Sequence, residues 1–392
     1  MLWPPPLTGA EPGTFTHHSI TQRLPVIAKK LCKDGDLTPA QRASVRQLLA
    51  EIPDAPLRAL TQPEAPGAST WQATLAAHEG STWLTAPWFV VETYFYRRIA
   101  EETGFFATGH DAFGPIKRHS LDQAWPFMDR LAPEDSTPRW LPRAWQRVLM
   151  AALWGNQADL SLHPSGVPIS SGGATEQATR LLVNDAETVF SWIEERRPLR
   201  QVEVVLDNVG LELLADLALA DYLLRAGVAG RVRLWAKRHP TFVSDATPHD
   251  VEQTLQRLVQ HPATEAWGDR LAEALKRGAL EVTSHLYWNG PLAGWALPHA
   301  LHDALAEADL CISKGDANYR RWHGDRAWPP TTPFAEVVRY LRVPLLALRS
   351  LKAELVSGLA PGQAERTAAQ DPAWMTNGRW GLVQFAAPRP PE

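Results

Sequence analysis

The period of the hydrophobic pattern changes near residue 200, and this change is the strongest constraint on the fold. From there on, short apolar or β-branched runs alternate with helical segments, in the order VEVVLDNVG, VRLWAKRHPTFVSDAT, LEVTSHL, ADLCISKGDANYR, VPLLALRSLKAEL and GRWGLVQF. Continuous apolar strands separated by amphipathic helices predict a mainly parallel sheet that is covered by helices on both faces.

The preceding part of the chain has helical character, and no strand of convincing length is evident before about residue 200. One helix is predicted to begin in TPAQRASVRQLLAEI, where Thr38-Pro39 supplies an N-cap and a first helical residue. We therefore predict a mainly helical N-terminal region over residues 1–195 and an α/β domain over residues 196–392. The Pro-rich ends, the first over residues 1–15, are expected to be extended and poorly packed.

Composition narrows the functional class. The 392 residues carry a formal net charge of −4, without the basic excess that binding to nucleic acid or an anionic membrane requires. The two cysteines cannot make a disulfide framework or a zinc knuckle. No secretory signal is evident, and the apolar runs fall short of the ~20 residues of a membrane span. A cytoplasmic protein is expected.

Oxygen-bearing and cationic side chains follow the predicted strands. Asp207 and Asn208 follow the first strand and Asp245 the second, whereas the fourth and fifth are followed by Lys314, Asp316, Asn318, Arg320, Arg349 and Lys352. Because ligands of parallel sheets bind at the carboxyl ends of the strands, we expect these side chains at one edge.

This set of side chains indicates a metal and a phosphate. Oxygen ligands suit Mg²⁺ or Mn²⁺ rather than zinc, and a divalent ion facing Lys and Arg donors fits a phosphorylated substrate. Gly315 permits a tight turn whose N–H groups face an anion. Taken alone, Asp207 would be read as a helix N-cap, and Lys314 or Lys352 as a surface residue. Their combination with Asn208 and Asp245 favours the functional interpretation.

Other candidates are weaker. Asn156 lies at the end of a predicted helix, where a capping role is the ordinary one, but it is kept among the candidate substrate-binding residues. Glu92 lies on a helix whose aromatic residues are expected to pack in the core. The chain has no Walker A motif, no dinucleotide GxGxxG motif after a strand and no nucleophile elbow, which argues against kinases and NAD enzymes.

Six segments carry a resemblance to a known family. PWFVVETYFYRRI, LWGNQADLSL, LDNVGLELLADLALADYLL, FVSDAT, ADLCISKGDANYRRW and LRSLKAELVSGLAPG run in family order from about residue 80 onward. In these segments the chain resembles the damage-control phosphatases, also called the domain of unknown function 89. One branch has an Arg-Thr-x-Lys motif in which Ser can replace Thr, and Arg349-Ser350-Leu351-Lys352 matches it.

The resemblance implies a three-layer α/β/α domain after a helical N-terminal region. It implies metal ligands at Asp207, Asn208 and Asp245, and substrate contacts at residues 316–320, at Lys352 and at Glu212. The implied activity is phosphate hydrolysis from small metabolites such as fructose 1-phosphate or fructose 6-phosphate, with Mn²⁺, Mg²⁺, Co²⁺ or Ni²⁺ as the metal.

The leading hypothesis is a metal-dependent phosphatase in which Lys314, Arg320 and Lys352 stabilise charge on the phosphoryl oxygens. Val209 stands where a dehalogenase-type phosphatase would have a second acid, which favours attack by water held at the metal over attack by Asp207. One alternative is an S-adenosylmethionine-dependent carboxyl methyltransferase, although the first strand lacks the usual glycine-rich turn. The other is a non-catalytic sensor that binds metal and sugar phosphate.

Overall fold

A single seven-stranded sheet forms the centre of the computed structural model, which describes residues 3–127, 138–155 and 179–388. The strands lie in the order β1-β7-β6-β5-β2-β3-β4. Their bounds are β1 Leu181–Asn184, β2 Leu199–Val205, β3 Ala229–Lys237, β4 Leu280–His285, β5 Leu310–Lys314, β6 Leu345–Ser350 and β7 Gly381–Ala386.

The five strands from β2 to β6 are parallel, β7 runs antiparallel to β6, and β1 is parallel to β7. In the central register Val204 pairs with Leu234 of β3 and with Ile312 of β5. The six predicted strands are confirmed. The expectation of no strand before residue 200 is wrong at β1, because four residues with one buried side chain are too few to show a period.

Helices occupy both the N-terminal region and the connections between strands. They are α1 Phe15–His18, α2 Leu24–Asp34, α3 Pro39–Glu51, α4 Ala68–Ala77, α5 Trp88–Glu102, α6 Phe105–Thr108, α7 Gly114–Ala124, α8 Pro142–Trp154, α9 Ala186–Glu194, α10 Leu211–Arg225, α11 Pro248–Gln260, α12 Glu265–Lys276, α13 His299–Ala306, α14 Gly315–Trp322, α15 Phe334–Val337 and α16 Gln363–Gln370. A π-helical turn, Ser19–Arg23, joins α1 to α2, and 3₁₀ turns span Trp125–Phe127, Leu286–Asn289 and Gly294–Ala296. None of these helices has the length and apolar character needed to cross a bilayer.

The sheet is covered on both faces. Val204 of β2 belongs to a core cluster with α8, α9, α10, α11 and α12, whereas the next residue, Val205, belongs to a cluster with α13, α14 and α15. This alternation follows from the two-residue period of a strand. The predicted three-layer α/β/α domain with a mainly parallel sheet is confirmed.

The N-terminal helices have a core of their own that extends to the edge of the sheet. At its centre lies α5, in which every residue from Trp88 to Glu101 is buried. The same cluster includes Phe242, Val243 and Ala353, which come from loops that follow β3 and β6. The helical region is therefore packed against the carboxyl ends of the strands, where function was predicted.

The Pro-rich start of the chain is packed, contrary to the expectation of a loose end. Trp3 stacks on Trp295 with ring centroids 4.1 Å apart. The carbonyl of Leu7 accepts a hydrogen bond from the backbone N–H of Trp88 at 2.8 Å, and the Leu7 N–H donates to Asp325 O at 2.9 Å. Two indole rings and a backbone bridge are sufficient to order a segment that has no helix or strand of its own.

A buried ion pair also joins the helical region to the sheet layers. Lys117 Nζ of α7 lies 2.8 Å from Asp250 Oδ2 of α11 and 2.8 Å from Asp111 Oδ2. Burial alone would lower the pKa of Lys117, but the charges of Asp250 and Asp111 outweigh it and hold the pKa above its ordinary value. Lys117 therefore stays charged, and its positive charge is needed by both carboxylates.

Replacing Lys117 by Met should lower the free energy of unfolding by roughly 3 kcal/mol, because it leaves the buried carboxylate of Asp250 and the partly exposed one of Asp111 without their ammonium partner. Urea denaturation measures this change. Lys276→Met makes the same chemical change at an exposed position of α12 and should leave the midpoint nearly unaltered. Equal midpoints for the two variants would show that the pair does not hold the regions together.

Candidate active site

A pocket opens at the carboxyl ends of the central strands. Six residues predicted to form the site line it together, namely Asp207, Asn208, Asp245, Asp316, Arg320 and Lys352. They come from four different strand ends, after β2, β3, β5 and β6, and these strands are adjacent in the sheet. The strand order therefore assembles residues that are up to 145 positions apart in the sequence.

Backbone pairing brings the first two candidate ligands against the third. Beyond β2 the chain makes a bridge between Asn208 and Asp245. The Val209 N–H donates to Ser244 O at 2.7 Å, and the Ala246 N–H donates to Asp207 O at 2.7 Å. Two carboxylates from separate loops are thus fixed side by side by main-chain hydrogen bonds.

The loop that carries Asp245 has unusual backbone geometry. Phe242 and Val243 have φ values of 48° and 68°, which residues with a side chain rarely adopt. Phe242 packs on Tyr96 of α5 with ring centroids 5.2 Å apart, so the helical region supports this conformation. Strain of this kind persists where the surroundings impose it, and here it turns Asp245 toward Asn208.

The Asn208 side chain is held by three hydrogen bonds. Its Nδ2 donates to Asp207 Oδ2 at 2.8 Å and to Glu212 Oε2 at 3.0 Å, and its Oδ1 accepts from Ser244 Oγ at 2.6 Å. The amide nitrogen can only donate, whereas the amide oxygen has two lone pairs, so Oδ1 is the atom of Asn208 that could bind a cation. Glu212 therefore orients Asn208.

The electrostatics of this group favour a cation. Burial, followed by the negative charges of Asp245 and Glu212, raises the pKa of Asp207 well above its ordinary value. Lys237 Nζ lies 3.3 Å from Asp245 Oδ2, and burial lowers the pKa of this lysine. The charges of Lys237 and Lys352 offset the rise in the pKa of Asp207 only in part, and an added positive ion would relieve the repulsion between the carboxylates.

The donor set fits a hard ion and not a soft one. Nowhere in the described ranges do three His, Cys, Asp or Glu side chains converge as a metal cluster, so a site here needs the amide oxygen of Asn208 beside the carboxylates of Asp207 and Asp245. Carboxylate and amide oxygens suit Mg²⁺ or Mn²⁺.

Gly315 is required by the close approach of α14 to Asp207. Its φ is +81°, and a Cβ atom at this position would overlap the Asp207 carboxylate. The glycine that the sequence predicts as a turn residue thus lets the first turn of α14 pass directly over the candidate metal ligand.

The two charged residues of the Arg349-Ser350-Leu351-Lys352 motif have different roles: Arg349 is buried and stabilises the turn, and Lys352 lines the pocket. Arg349 is fully buried, its Nε donates to Asp316 Oδ1 at 2.7 Å, and its Nη2 donates to Ala353 O at 3.1 Å. The Lys352 N–H also donates to Asp316 Oδ1, at 3.1 Å. Asp316 therefore anchors the turn from which the Lys352 side chain lines the pocket.

Lys314 does not occupy the position predicted for it. Its side chain is fully buried, with Nζ 2.9 Å from Glu212 Oε1 and 2.8 Å from Asp216 Oδ1. Because two carboxylates of α10 hold its ammonium group beneath the pocket, it is a counter-ion for Glu212 and not a contact for phosphoryl oxygens. That role in the phosphatase hypothesis is wrong for Lys314.

Two further candidates also differ from expectation. Asn318 is fully buried and donates to Leu206 O and Lys314 O at 3.1 and 2.8 Å, so it fixes the backbone beneath the site. Arg320 lines the pocket, but each of its three guanidinium nitrogens donates to Glu92 or Asp325. Asn156 lies outside the described residues.

Sequence reasoning missed part of the pocket wall. Arg23, Trp88 and Phe242 line it, and Glu92 does so where core packing was the expected role. Lys237 was also missed, although its position as the last residue of β3 was a usable signal. For Arg23 no signal was available, because its partner Glu92 is 69 residues away.

Comparison with known proteins identifies the family of this chain. The sequence profile of the damage-control phosphatase ARMT1-like domain matches residues 19–367. The chain belongs to this family. It is 30% identical to damage-control phosphatase ARMT1 of Danio rerio over 99% of this chain and 98% of that protein. It is 30% identical to damage-control phosphatase ARMT1 of Homo sapiens over 98% of this chain and 99% of that protein. It is 34% identical to the Bos taurus protein over 78% of this chain and 76% of that protein. A crystal structure of a DUF89 family protein from Pyrococcus horikoshii aligns with a TM-score of 0.48 at 14% identity, over 95% of this chain and 98% of that chain.

Family membership makes the chain a phosphatase of the damage-control type, as the resemblance implied.

Gly315→Ala should abolish phosphate release from phosphomonoesters, because the added methyl group displaces Asp207. Gly278→Ala is the matched control, since Gly278 has φ +72° but nothing within 4 Å of an added Cβ. Both variants should lose roughly 1–2 kcal/mol of stability through backbone strain, measured by urea denaturation. Retained activity in Gly315→Ala, or an equal loss of phosphatase activity in Gly278→Ala, would contradict the proposed contact.

Proposed function

We propose that this phosphatase depends on a divalent metal ion, Mn²⁺ or Mg²⁺, held by Asp207, Asn208 and Asp245. Its substrates are small phosphorylated metabolites, and sugar phosphates such as fructose 1-phosphate or fructose 6-phosphate are the proposed class. The observation that carries the proposal is the convergence of two buried carboxylates and an oriented amide in one pocket with Lys352. Co²⁺ and Ni²⁺ remain alternatives that the family resemblance implies.

The donor set meets the requirements of such an ion. Asp207 and Asp245 are 5% and 1% exposed, and the charges of Lys237 and Lys352 do not fully offset the burial and repulsion that raise the pKa of Asp207. A divalent ion held by these residues would supply charge stabilisation to the phosphoryl group and to the attacking oxygen.

The protein's own groups bind and orient the phosphoryl group. Lys352 lines the pocket from the turn anchored by Asp316 and is proposed to stabilise charge on the phosphoryl oxygens. Glu212 accepts from Asn208, Asn208 in turn donates to Asp207, and the backbone bridge joins Asn208 to Asp245, so the proposed ligand set is preorganised. Trp88 and Phe242 supply apolar walls that exclude water.

The size of the pocket supports a small ligand. Its cavity volume of about 50 Å³ accommodates a phosphoryl-sized group, with the rest of the substrate toward the opening.

Asp207→Ala should abolish phosphate release from fructose 1-phosphate and fructose 6-phosphate, because it removes a metal ligand. Asp269→Asn, at an exposed position of α12, is the control and should keep full activity. Both are assayed after chelation, with Mn²⁺, Mg²⁺, Co²⁺ or Ni²⁺ restored singly, and Mn²⁺ binding is measured separately by calorimetry.

Full activity of Asp207→Ala, or full activity of the chelated protein without added metal, would contradict the proposal. Binding of Mn²⁺ and fructose 6-phosphate without turnover would identify a sensor. Micromolar binding of S-adenosylmethionine would support the methyltransferase alternative.

A further inference from the structure

One wall of the pocket is built by the N-terminal helical region and not by the sheet. Arg23, the last residue of the π-helical turn Ser19–Arg23, lines this wall together with Trp88 and Glu92 of α5. These residues face the same cavity as Asp207 and Lys352. A phosphorylated ligand bound at the strand ends would therefore meet this wall with its non-reacting part.

The charges on this wall alternate in a continuous chain. Arg23 Nη1 donates to Glu92 Oε1 at 2.8 Å, and Glu92 Oε2 accepts from Arg320 Nη1. Arg320 in turn donates to Asp325 through Nε and Nη2, at 2.8 and 3.0 Å. Two guanidinium groups and two carboxylates sum to zero net charge, so the wall offers donors and acceptors without a charge excess.

The two arginines differ in their access to a ligand. The side chain of Arg320 is 3% exposed and lies under the Trp88 ring at 3.6 Å from its centroid. The side chain of Arg23 is 21% exposed. Because Arg320 is enclosed by carboxylates and an indole ring, Arg23 is the guanidinium group that a ligand in the pocket can reach.

The position of Arg23 is tied to the phosphate side of the site. The helix that carries it begins at Phe15, whose N–H donates to Glu354 Oε2 at 2.9 Å. Glu354 lies two residues after Lys352 in the turn that presents this lysine to the pocket. The hydrogen bond thus links the segment that carries Arg23 to the loop that carries Lys352. A π-helical turn is uncommon and occurs frequently at functional sites.

The chemistry of the wall selects one class of ligand group. A second anion would compete with Glu92 for Arg23 and would be repelled by that carboxylate. An apolar group would desolvate the ion pair without replacing its hydrogen bonds. Hydroxyl groups satisfy both partners, because they accept from a guanidinium group and donate to a carboxylate.

We propose that Arg23, held by Glu92, determines specificity by binding hydroxyl groups on the polyhydroxylated body of the substrate. This inference rests on the proposed function and adds to it the residues that distinguish a sugar phosphate from other phosphomonoesters. Arg320 also borders the pocket, but it is a positioning residue, because each of its guanidinium nitrogens already donates to Glu92 or Asp325.

The test compares Arg23→Met with the unsubstituted protein on two substrates, fructose 6-phosphate and p-nitrophenyl phosphate, which has no hydroxyl groups. Loss of charge-assisted hydrogen bonds should lower kcat/KM for fructose 6-phosphate about 10- to 100-fold, chiefly through KM. The kcat/KM for p-nitrophenyl phosphate should fall at least about fivefold less, because this substrate loses only the electrostatic contribution of Arg23 and no hydrogen bonds to hydroxyl groups. Arg46→Met, at an exposed position of α3, is the control and should alter neither value, and Arg23→Lys should recover part of the lost efficiency.

Equal losses on both substrates would overturn the inference, since Arg23 would then serve the phosphoryl group or the fold. No loss on either substrate would overturn it as well. If the unsubstituted protein hydrolyses neither compound, the proposed function fails instead. Calorimetry then decides the inference, because Arg23→Met must weaken binding of fructose 6-phosphate more than binding of inorganic phosphate.

Discussion

Two buried carboxylates, Asp207 and Asp245, impose the constraint on which the rest of the site depends. They come from separate loops and are almost inaccessible to solvent, and burial, followed by the charge of Asp245, raises the pKa of Asp207 well above its ordinary value. Such a pair is costly unless it is held in place and compensated. The backbone bridge to Asn208, the ammonium group of Lys237 and the glycine at position 315 are the means by which the structure holds it.

The charged groups around this pair lie in two layers, one at the pocket and one beneath it. Nearest the pocket lie oxygen atoms that suit a hard cation, and Lys352 lies beside them on a turn fixed by Asp316. Beneath them, Lys314 balances Glu212 and Asp216, which keeps Glu212 available to orient Asn208. This arrangement explains why a lysine at a strand end can be essential to a site without contacting its ligand.

Much of this could be predicted from the sequence, because it depends on local patterns. Six apolar runs identify their strands, and parallel pairing then places Asp207, Asn208 and Asp245 at one edge. The side chain of Lys314 could not be placed in this way. The side chain of a residue at a strand end can point to the pocket or to a covering helix. For Lys314 the direction is set by Glu212 and Asp216 of α10, which bind its ammonium group.

The other features that the sequence did not predict depend on contacts between residues that are far apart in the chain. The Arg23–Glu92–Arg320 chain joins residues up to 297 positions apart, and no spacing rule connects them. The four-residue strand β1 is defined by its pairing with β7, near the other end of the described chain, and not by its own pattern. The packed Pro-rich start likewise depends on Trp295 and Asp325.

The most direct test of the central claim is an anomalous-difference map from a crystal grown with Mn²⁺. The account predicts a peak within bonding distance of carboxylate oxygens from Asp207 and Asp245 and of the Asn208 amide oxygen. No peak at this pocket, or a peak bound by other side chains, would contradict it.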